Sequence, residues 1–249
     1  MSDGKERRPP PALHDNNALF LDVDGTLVAF ADRPDQVHLP PQVRESLTRL
    51  QQRLGGALAL VSGRPLHQLD ELFAPLLLPA AGLHGLQVRS SADAQAAMPE
   101  ATSPWLHDLH QRAQQLAHAH PGLFVEEKGQ GLALHWRTAP DSAQTATEFA
   151  HAQLQHLPGY RLQPGNHVIE FVREGCDKGS ALQTLMGKPP FAGRQPVFVG
   201  DDLTDESGFA AVRNAAGWGV LVGERADSHA EYSLPDIHAV HTWLEVNSR

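Results

Sequence analysis

The stretch Ala18-Leu19-Phe20-Leu21-Asp22-Val23-Asp24-Gly25-Thr26 decides how the rest of the chain is read. Four apolar residues without alternation suit a strand covered on both faces. The run ends on two carboxylates one residue apart, and Gly25 lets the chain depart sharply. In doubly wound parallel sheets, chemistry gathers outside the carboxyl ends of such strands. Two neighbouring carboxylates can hold a divalent cation and still take different roles. In isolation a DG turn with a solvated Asp is the commoner meaning of these letters; the buried strand ahead and Thr26 behind favour the functional one.

The pattern recurs outward. Ala57 to Val61 reads as a second buried strand ending in Ser62-Gly63-Arg64-Pro65, and Val197 to Val199 as a third ending in Gly200-Asp201-Asp202-Leu203-Thr204-Asp205-Glu206. A hydroxyl, exposed backbone N–H groups and a guanidinium at 62–64 suit a phosphoryl group, although Ser-Gly and Arg-Pro are also ordinary loop text. Four acids within six positions, Asp201, Asp202, Asp205 and Glu206, repel one another unless some meet a cation or cap a helix. Oxygen-only ligation together with Asp22 and Asp24 favours Mg²⁺ over a softer metal. Lys178 opens a helix, where the dipole disfavours a cation, so an anion to hold is one reason for its place and a plain surface Lys the other.

Helices alternate with these strands: about Pro41 to Leu54, one through Leu66, Leu69 and Phe73, Asp177 to Met186, Thr204 to Val212 and Pro235 to Val246, with further strands at Leu77 to Gly82 and Gly217 to Val222. Between Gly85 and Phe171 the order changes. A low-information segment, Ser90 to Pro99, leads to a helix from Pro104 to His118. Strands then follow at 123–125 and 132–136, a helix at 143–156, and a hairpin of 160–162 with 167–171. The expectation is an α/β chain. A doubly wound parallel-sheet core at 17–85 and 171–249 is interrupted by an α+β unit at 86–170, and residues 1–16 form a flexible tail.

Composition limits the function classes. The chain has 249 residues, 41% hydrophobic and 20% charged, enough for one large domain or two small ones. A net charge of −9 opposes non-specific nucleic-acid or anionic-membrane binding. The single Cys176 excludes an internal disulfide framework. No apolar run approaches the roughly 18–20 residues of a membrane span, and the charged, Pro-rich start does not read as a signal peptide. A soluble, cytoplasmic protein is expected; a monomer is compatible with the sequence, which leaves the oligomeric state open. The 15 histidines form no metal-binding pattern, and His107, His110, His118 and His120 read as surface positions.

Taken in order, the four segments resemble the four motifs of the haloacid-dehalogenase-like phosphatases: DVDGT at 22–26, Ser62, Lys178 and GDDLTD at 200–205. Within that superfamily the text is similar to the trehalose-6-phosphate phosphatase family over roughly residues 18–245. The likeness rests on LDVDGTL, VSGRP, the GLHG at 82–85, EEKGQGLALHWR at 126–137, the span from Glu170 to Gly179, and FVGDDLTDE. The resemblance implies Asp22 as nucleophile, Asp24 as proton donor and then base, and Ser62 and Lys178 as phosphoryl binders. Thr26, Gly63 and Arg64 would border the phosphoryl group. Mg²⁺ would sit on Asp22, the Asp24 carbonyl and Asp201, supported by Asp202 or Asp205. The inserted unit would be a cap whose Glu126, Lys128 and Glu170 read sugar hydroxyls, against the plainer reading of a solvated charged strand edge. His135 and Arg137 are less defined, and His135 could simply pack. The implied substrate is trehalose 6-phosphate, with another sugar phosphate such as sucrose 6-phosphate as the near alternative. A receiver-like phosphate-accepting module is the remote one; a proton donor at Asp24, which speeds loss of the phosphoryl group, argues against it.

Overall fold

The computed structural model describes residues 7–30, 36–91 and 104–249. Pro34, most of the segment from Ser90 to Pro99, and residues 1–6 of the expected tail lie outside them. The chain divides into two compact units, Met1–Met98 with Asp177–Arg249, and Pro99–Cys176.

The first unit is built on seven strands: β1 (Asn17–Leu21), β2 (Leu58–Val61), β3 (Ala80–Gly82), β4 (Gln87–Arg89), β9 (Gln195–Gly200), β10 (Trp218–Val222) and β11 (Tyr232–Leu234). Their spatial order is β11-β10-β9-β1-β2-β3-β4. Every pairing is parallel except that of β4 with β3. All residues of β1 and β2 are buried, as strands covered on both faces must be. Helices α1 (Pro41–Arg53), α2 (Leu66–Phe73), α5 (Lys178–Met186), α6 (Glu206–Asn214) and α7 (Ile237–Asn247) complete the unit, α1 packing with α7 and α5 with α6. The chain leaves β1 for β2 on one side and returns to β9 on the other. β1 therefore stands at the switch point, and the carboxyl ends of β9, β1 and β2 adjoin.

The second unit holds α3 (Pro104–Ala119), β5 (Phe124–Glu127), β6 (Leu132–His135), α4 (Ala143–Leu154), β7 (Tyr160–Gly165) and β8 (Val168–Arg173). Its sheet, in order β5-β6-β8-β7, is antiparallel throughout. Val125, Leu132, Leu134, Ile169 and Phe171 join Leu106, Leu109, Ala113, Ala146 and Ala150 in a hydrophobic core of its own. Among the described residues no helix is long and apolar enough to cross a membrane.

Several expectations are corrected. The insertion does not run over 86–170. Residues 87–89 form β4 on the core sheet, and β8 keeps 171–173 in the antiparallel sheet. Strand pairing, which short polar runs such as Gln87-Val88-Arg89 do not announce, sets both limits. Residues 7–16 are not a mobile tail. Leu13 is 2% exposed, its N–H donates to Asn247 Oδ1 at 2.6 Å, Trp243 Nε1 donates to the Pro11 carbonyl, and Arg8 bridges to Tyr232. These partners lie more than 200 residues away in sequence, beyond the reach of local pattern. The helix expected from Thr204 starts at Glu206, after a 3₁₀ turn at Leu203–Asp205 capped by the Asp202 side chain.

Candidate active site

Asp22 follows β1, and its N–H continues the ladder by donating to the Val199 carbonyl at 2.9 Å. Asp22 is 4% exposed, Asp205 wholly buried and Lys178 3% exposed. The Lys178 ammonium donates to Asp22 Oδ1 at 2.7 Å and to Asp205 Oδ1 at 2.6 Å. Lys178 is the first residue of α5, whose start is closed by a reciprocal pair of bonds between Asp177 and Ser180. The unfavourable dipole at that position is answered by two carboxylates. Asp205 Oδ2 accepts from the N–H groups of Asp201 and Asp202, each at 2.9 Å, and Thr26 Oγ1 donates to Asp201 Oδ1 at 3.2 Å.

Asp22, Asp201 and Asp205 each offer an oxygen within 4.8 Å of the others. Burial raises the Asp22 carboxyl well above its ordinary range; Lys178 opposes this, while Asp205 and Asp201 add to it. Burial, then Asp205, push Asp201 up to about 7. Burial by itself would lower the Lys178 ammonium, but Asp205 and Asp22 overcome it and the group is raised. One ammonium thus faces three carboxylates, and the excess of buried negative charge calls for a further cation. Gly25 lets the Asp201 carboxylate come this close: a Cβ there, where φ is +88°, would stand 2.2 Å from Asp201 Oδ2. A cluster of hard oxygen donors alone, Asp22, Asp201 and Asp205, fits a hard divalent ion. Of the two acids left open as supports, the structure brings Asp205 into the cluster. Asp202 instead turns its carboxylate to the Leu203 N–H as a cap.

Asp24 is held by a guanidinium fork, Arg64 Nε to Oδ2 and Arg64 Nη2 to Oδ1, both at 2.7 Å. Arg64, expected beside a phosphoryl group, is thereby tied to the second carboxylate of the motif. Ser62 follows β2, is 1% exposed, and its Oγ accepts from the Arg64 N–H at 3.1 Å. Gly63 admits the His84 ring: a Cβ there would lie 2.8 Å from His84 Nε2. His84 and Leu83 both take positive φ, 54° and 50°, at non-glycine positions. The letters GLHG marked this place, but the left-handed backbone that carries the ring over Gly63 has no signature in them.

In the second unit register does the assembling. Glu126 pairs with Ala133, and Ala133 with Glu170, so the two glutamates share a row across three strands with a small residue between. Lys128 and His135, each two residues along, face the same side. Lys128 Nζ lies 3.0 Å from Glu170 Oε1 and 3.8 Å from Glu126 Oε2, and His135 Nε2 is 2.9 Å from Glu126 Oε2. Burial would raise the Glu126 carboxyl, but Lys128 and then His135 bring it below its usual range. Glu126 and Lys128 are under a tenth exposed, so they are not a solvated strand edge. His135, whose role the sequence left open, belongs to the network.

The trehalose-phosphatase family model matches residues 20–237, most of the chain. The chain belongs to the trehalose-phosphatase family. Hydrolysis of trehalose phosphate is the activity that goes with membership. The trehalose-6-phosphate phosphatase of Escherichia coli K12 is 37% identical over 236 residues, covering 95% of this chain and 88% of that protein. Among solved structures, the C-terminal domain of the Candida albicans trehalose-6-phosphate phosphatase superposes with a TM-score of 0.79 at 18% identity, covering 98% of this chain and 99% of that one. A haloacid dehalogenase-like hydrolase from Bacteroides thetaiotaomicron gives 0.66 at 16% identity, covering 92% and 98%. At these identities the two structures speak for the fold, and the fold they share with this trehalose-phosphatase family member is the haloacid-dehalogenase-like one.

Proposed function

We propose that the protein hydrolyses trehalose 6-phosphate to trehalose and phosphate in two displacements at Asp22. The observation that carries this reading is the pair Asp22 and Asp24 at the end of the central strand, one bound by Lys178 and the other by Arg64. In the first displacement an Asp22 oxygen forms a bond to phosphorus while the bond from phosphorus to the sugar oxygen breaks. Asp24 hands its proton to that departing oxygen, which is too basic to leave as an alkoxide. Each Asp24 oxygen accepts one bond from Arg64 at rest and keeps a second lone pair on which the proton can be carried. In the second displacement Asp24 takes a proton from water, the water oxygen attacks phosphorus, and the aspartyl–phosphorus bond breaks to restore Asp22.

Lys178 and Ser62 hold phosphoryl oxygens, with the backbone at Gly63 and the Thr26 segment bordering them, so that charge is balanced where it develops. Asp22, the Asp24 carbonyl and Asp201, with Asp205 behind them, would hold Mg²⁺, whose charge lets a carboxylate and a phosphate dianion approach. Glu126, Lys128 and Glu170, joined by His135, read sugar hydroxyls. These groups already pair with one another, so a ligand without those hydroxyls displaces their water and returns no hydrogen bonds, which is the physical basis of selection.

The test is phosphate release from trehalose 6-phosphate beside glucose 6-phosphate and sucrose 6-phosphate, with and without Mg²⁺. Preference for trehalose 6-phosphate in the presence of Mg²⁺ is expected. Preference for sucrose 6-phosphate would move the reading to another sugar. A stable phosphoprotein without turnover would replace it with a phosphate-accepting module.

A further inference from the structure

The acid loop after β9 is held along both edges of its backbone. On one edge the N–H groups of Asp201 and Asp202 meet the Asp205 carboxylate. On the other, Arg225 Nη1 donates to the Asp201 carbonyl at 2.9 Å and Nη2 to the Asp202 carbonyl at 3.2 Å. The peptide joining Asp201 to Asp202 is thus gripped at both its carbonyl and its N–H, and each neighbouring peptide at one group at least, which restricts rotation while the Asp201 side chain reaches Thr26 Oγ1.

Arg225 is itself fixed. Its Nη2 also donates to Glu206 Oε1, and Glu206 Oε2 accepts from the His229 N–H at 2.8 Å. Despite burial, which would raise it, the Glu206 carboxyl lies below its usual range because of bonds from His229, Ser228 and Arg225. The loop between β10 and β11 that carries Arg225 has a second anchor from the other end of the chain. The Arg7 guanidinium donates to the carbonyls of Arg225, Ala226, Ser228 and Ala230 at 2.7–3.3 Å. One guanidinium spanning four carbonyls gathers an irregular segment that has few backbone partners of its own.

We propose that Arg225 is a positioning residue for catalysis, setting the backbone from which Asp201 projects, and that Arg7 acts one step behind it by holding the Arg225 loop. Neither touches the reacting atoms. Their contribution is preorganisation: a cation ligand carried on a freely rotating peptide must be ordered at each binding event. The inference rests on the reading of Asp201 as a cation ligand.

The test is Mg²⁺ titration by calorimetry on the full chain, run beside turnover, for the wild type and for Arg225→Ala, Arg225→Lys and Arg7→Ala. Outer-shell changes of this kind typically lower metal affinity or activity by about 10–100-fold. Arg225→Ala is expected to weaken Mg²⁺ binding in that range, and Arg7→Ala less. Arg225→Lys, which keeps one point donor, should fall between the wild type and Arg225→Ala. Millimolar guanidinium chloride should partly restore Arg225→Ala, since the ion supplies the missing donors. Loss of kcat/KM should be equal for trehalose 6-phosphate and p-nitrophenyl phosphate, because the acid loop does not read the sugar.

A lowered Tm with unchanged Mg²⁺ affinity in the folded protein would overturn the proposal, since it is the mark of a purely structural brace. If Arg225→Ala fails to fold, Arg225→Lys and Arg7→Ala decide, and wild-type Mg²⁺ affinity in both overturns it. Failure of the wild type to bind Mg²⁺ or to hydrolyse any sugar phosphate would count against the function reading and remain distinct from a difference between variants.

Discussion

Replacing Gly25 with Ala adds a single methyl group at the most crowded point of the acid cluster. Its Cβ would stand 2.2 Å from Asp201 Oδ2 and 2.5 Å from Cγ. An ordinary carbon–oxygen contact is about 3.3 Å or more, so the carboxylate must retreat by roughly 1 Å. It cannot do so freely, because Thr26 holds Oδ1 and Asp205 holds the Asp201 N–H. A misplacement of about 1 Å in a reacting constellation lowers rate by about 10²-fold. The expectation is a fall of that order in kcat/KM, together with weaker Mg²⁺ binding. The backbone adds a second effect, since φ at Gly25 is +88° and a side chain in the left-handed region costs about 1–2 kcal/mol. For a chain of this size that amounts to a Tm lowered by roughly 2–8 °C. Gly193→Ala separates the two effects, because Gly193 also has positive φ, +79°, but nothing lies within 4 Å of its Cβ position. The control should share the loss of Tm and keep full activity. The assay is phosphate release at saturating Mg²⁺ with melting curves for both variants. Activity of Gly25→Ala within threefold of wild type in a folded protein would refute the reasoning that the Asp201 carboxylate needs a residue without a side chain at position 25.

Asp24→Asn should lower trehalose 6-phosphate turnover by about 10²–10⁴-fold, the usual worth of general acid–base catalysis. In single-turnover formation of the phosphoenzyme, p-nitrophenyl phosphate, whose leaving group needs no proton, should be partly spared; equal losses would remove Asp24 from the acid role. Glu126→Ala, Lys128→Ala and Glu170→Ala each delete hydrogen bonds to charged groups worth about 1.5–3 kcal/mol, or about 10–100-fold in kcat/KM for trehalose 6-phosphate. The ratio to p-nitrophenyl phosphate, measured on one preparation, is the readout, and an unchanged ratio in all three would take sugar reading away from them. Asp201, raised to about 7 by burial and Asp205, binds a proton in the metal-free fold where an unfolded Asp does not. Its contribution to metal-free stability is therefore present below about pH 4 and is lost as pH rises toward 7. Mg²⁺ competes with that proton, so its affinity should fall between pH 8 and pH 6, and the gain in Tm on adding Mg²⁺ to chelator-treated protein should widen over the same rise in pH. A gap independent of pH would contradict the charge argument.

The core of the fold was legible because its signals are local. Buried parallel strands appear as continuous apolar runs, as at Ala18 to Leu21 and Val197 to Val199, and the letters that follow each run mark a strand end whatever the sheet order. The polar strands were not legible. Gln87-Val88-Arg89 and Tyr232-Ser233-Leu234 become strands through edge pairing with β3 and β10, and a partner supplied by tertiary structure leaves no periodicity in three residues. The same blindness shifted the limits of the inserted unit and turned a pinned segment at 7–16 into an apparent tail.

The chemistry divides along the same line. Residue type and position alone single out carboxylates and a hydroxyl at strand ends and a lysine at a helix start, groups suited to a hard cation and a phosphoryl group. Which carboxylate does what depends on direction and distance in space. Asp205 and Asp202 are equivalent as letters, yet the capping turn sends one to Lys178 and the other to the Leu203 N–H. Arg64 reads as an anion binder in sequence and closes on Asp24 in the fold. His135 joins Glu126 only because strand register puts them on one face, and Arg225 reaches the acid loop only because β10 lies beside β9. Hydrogen bonds act over about 3 Å whatever the separation along the chain, so the set of reactive groups is a property of the sequence and their division of labour a property of the folded chain.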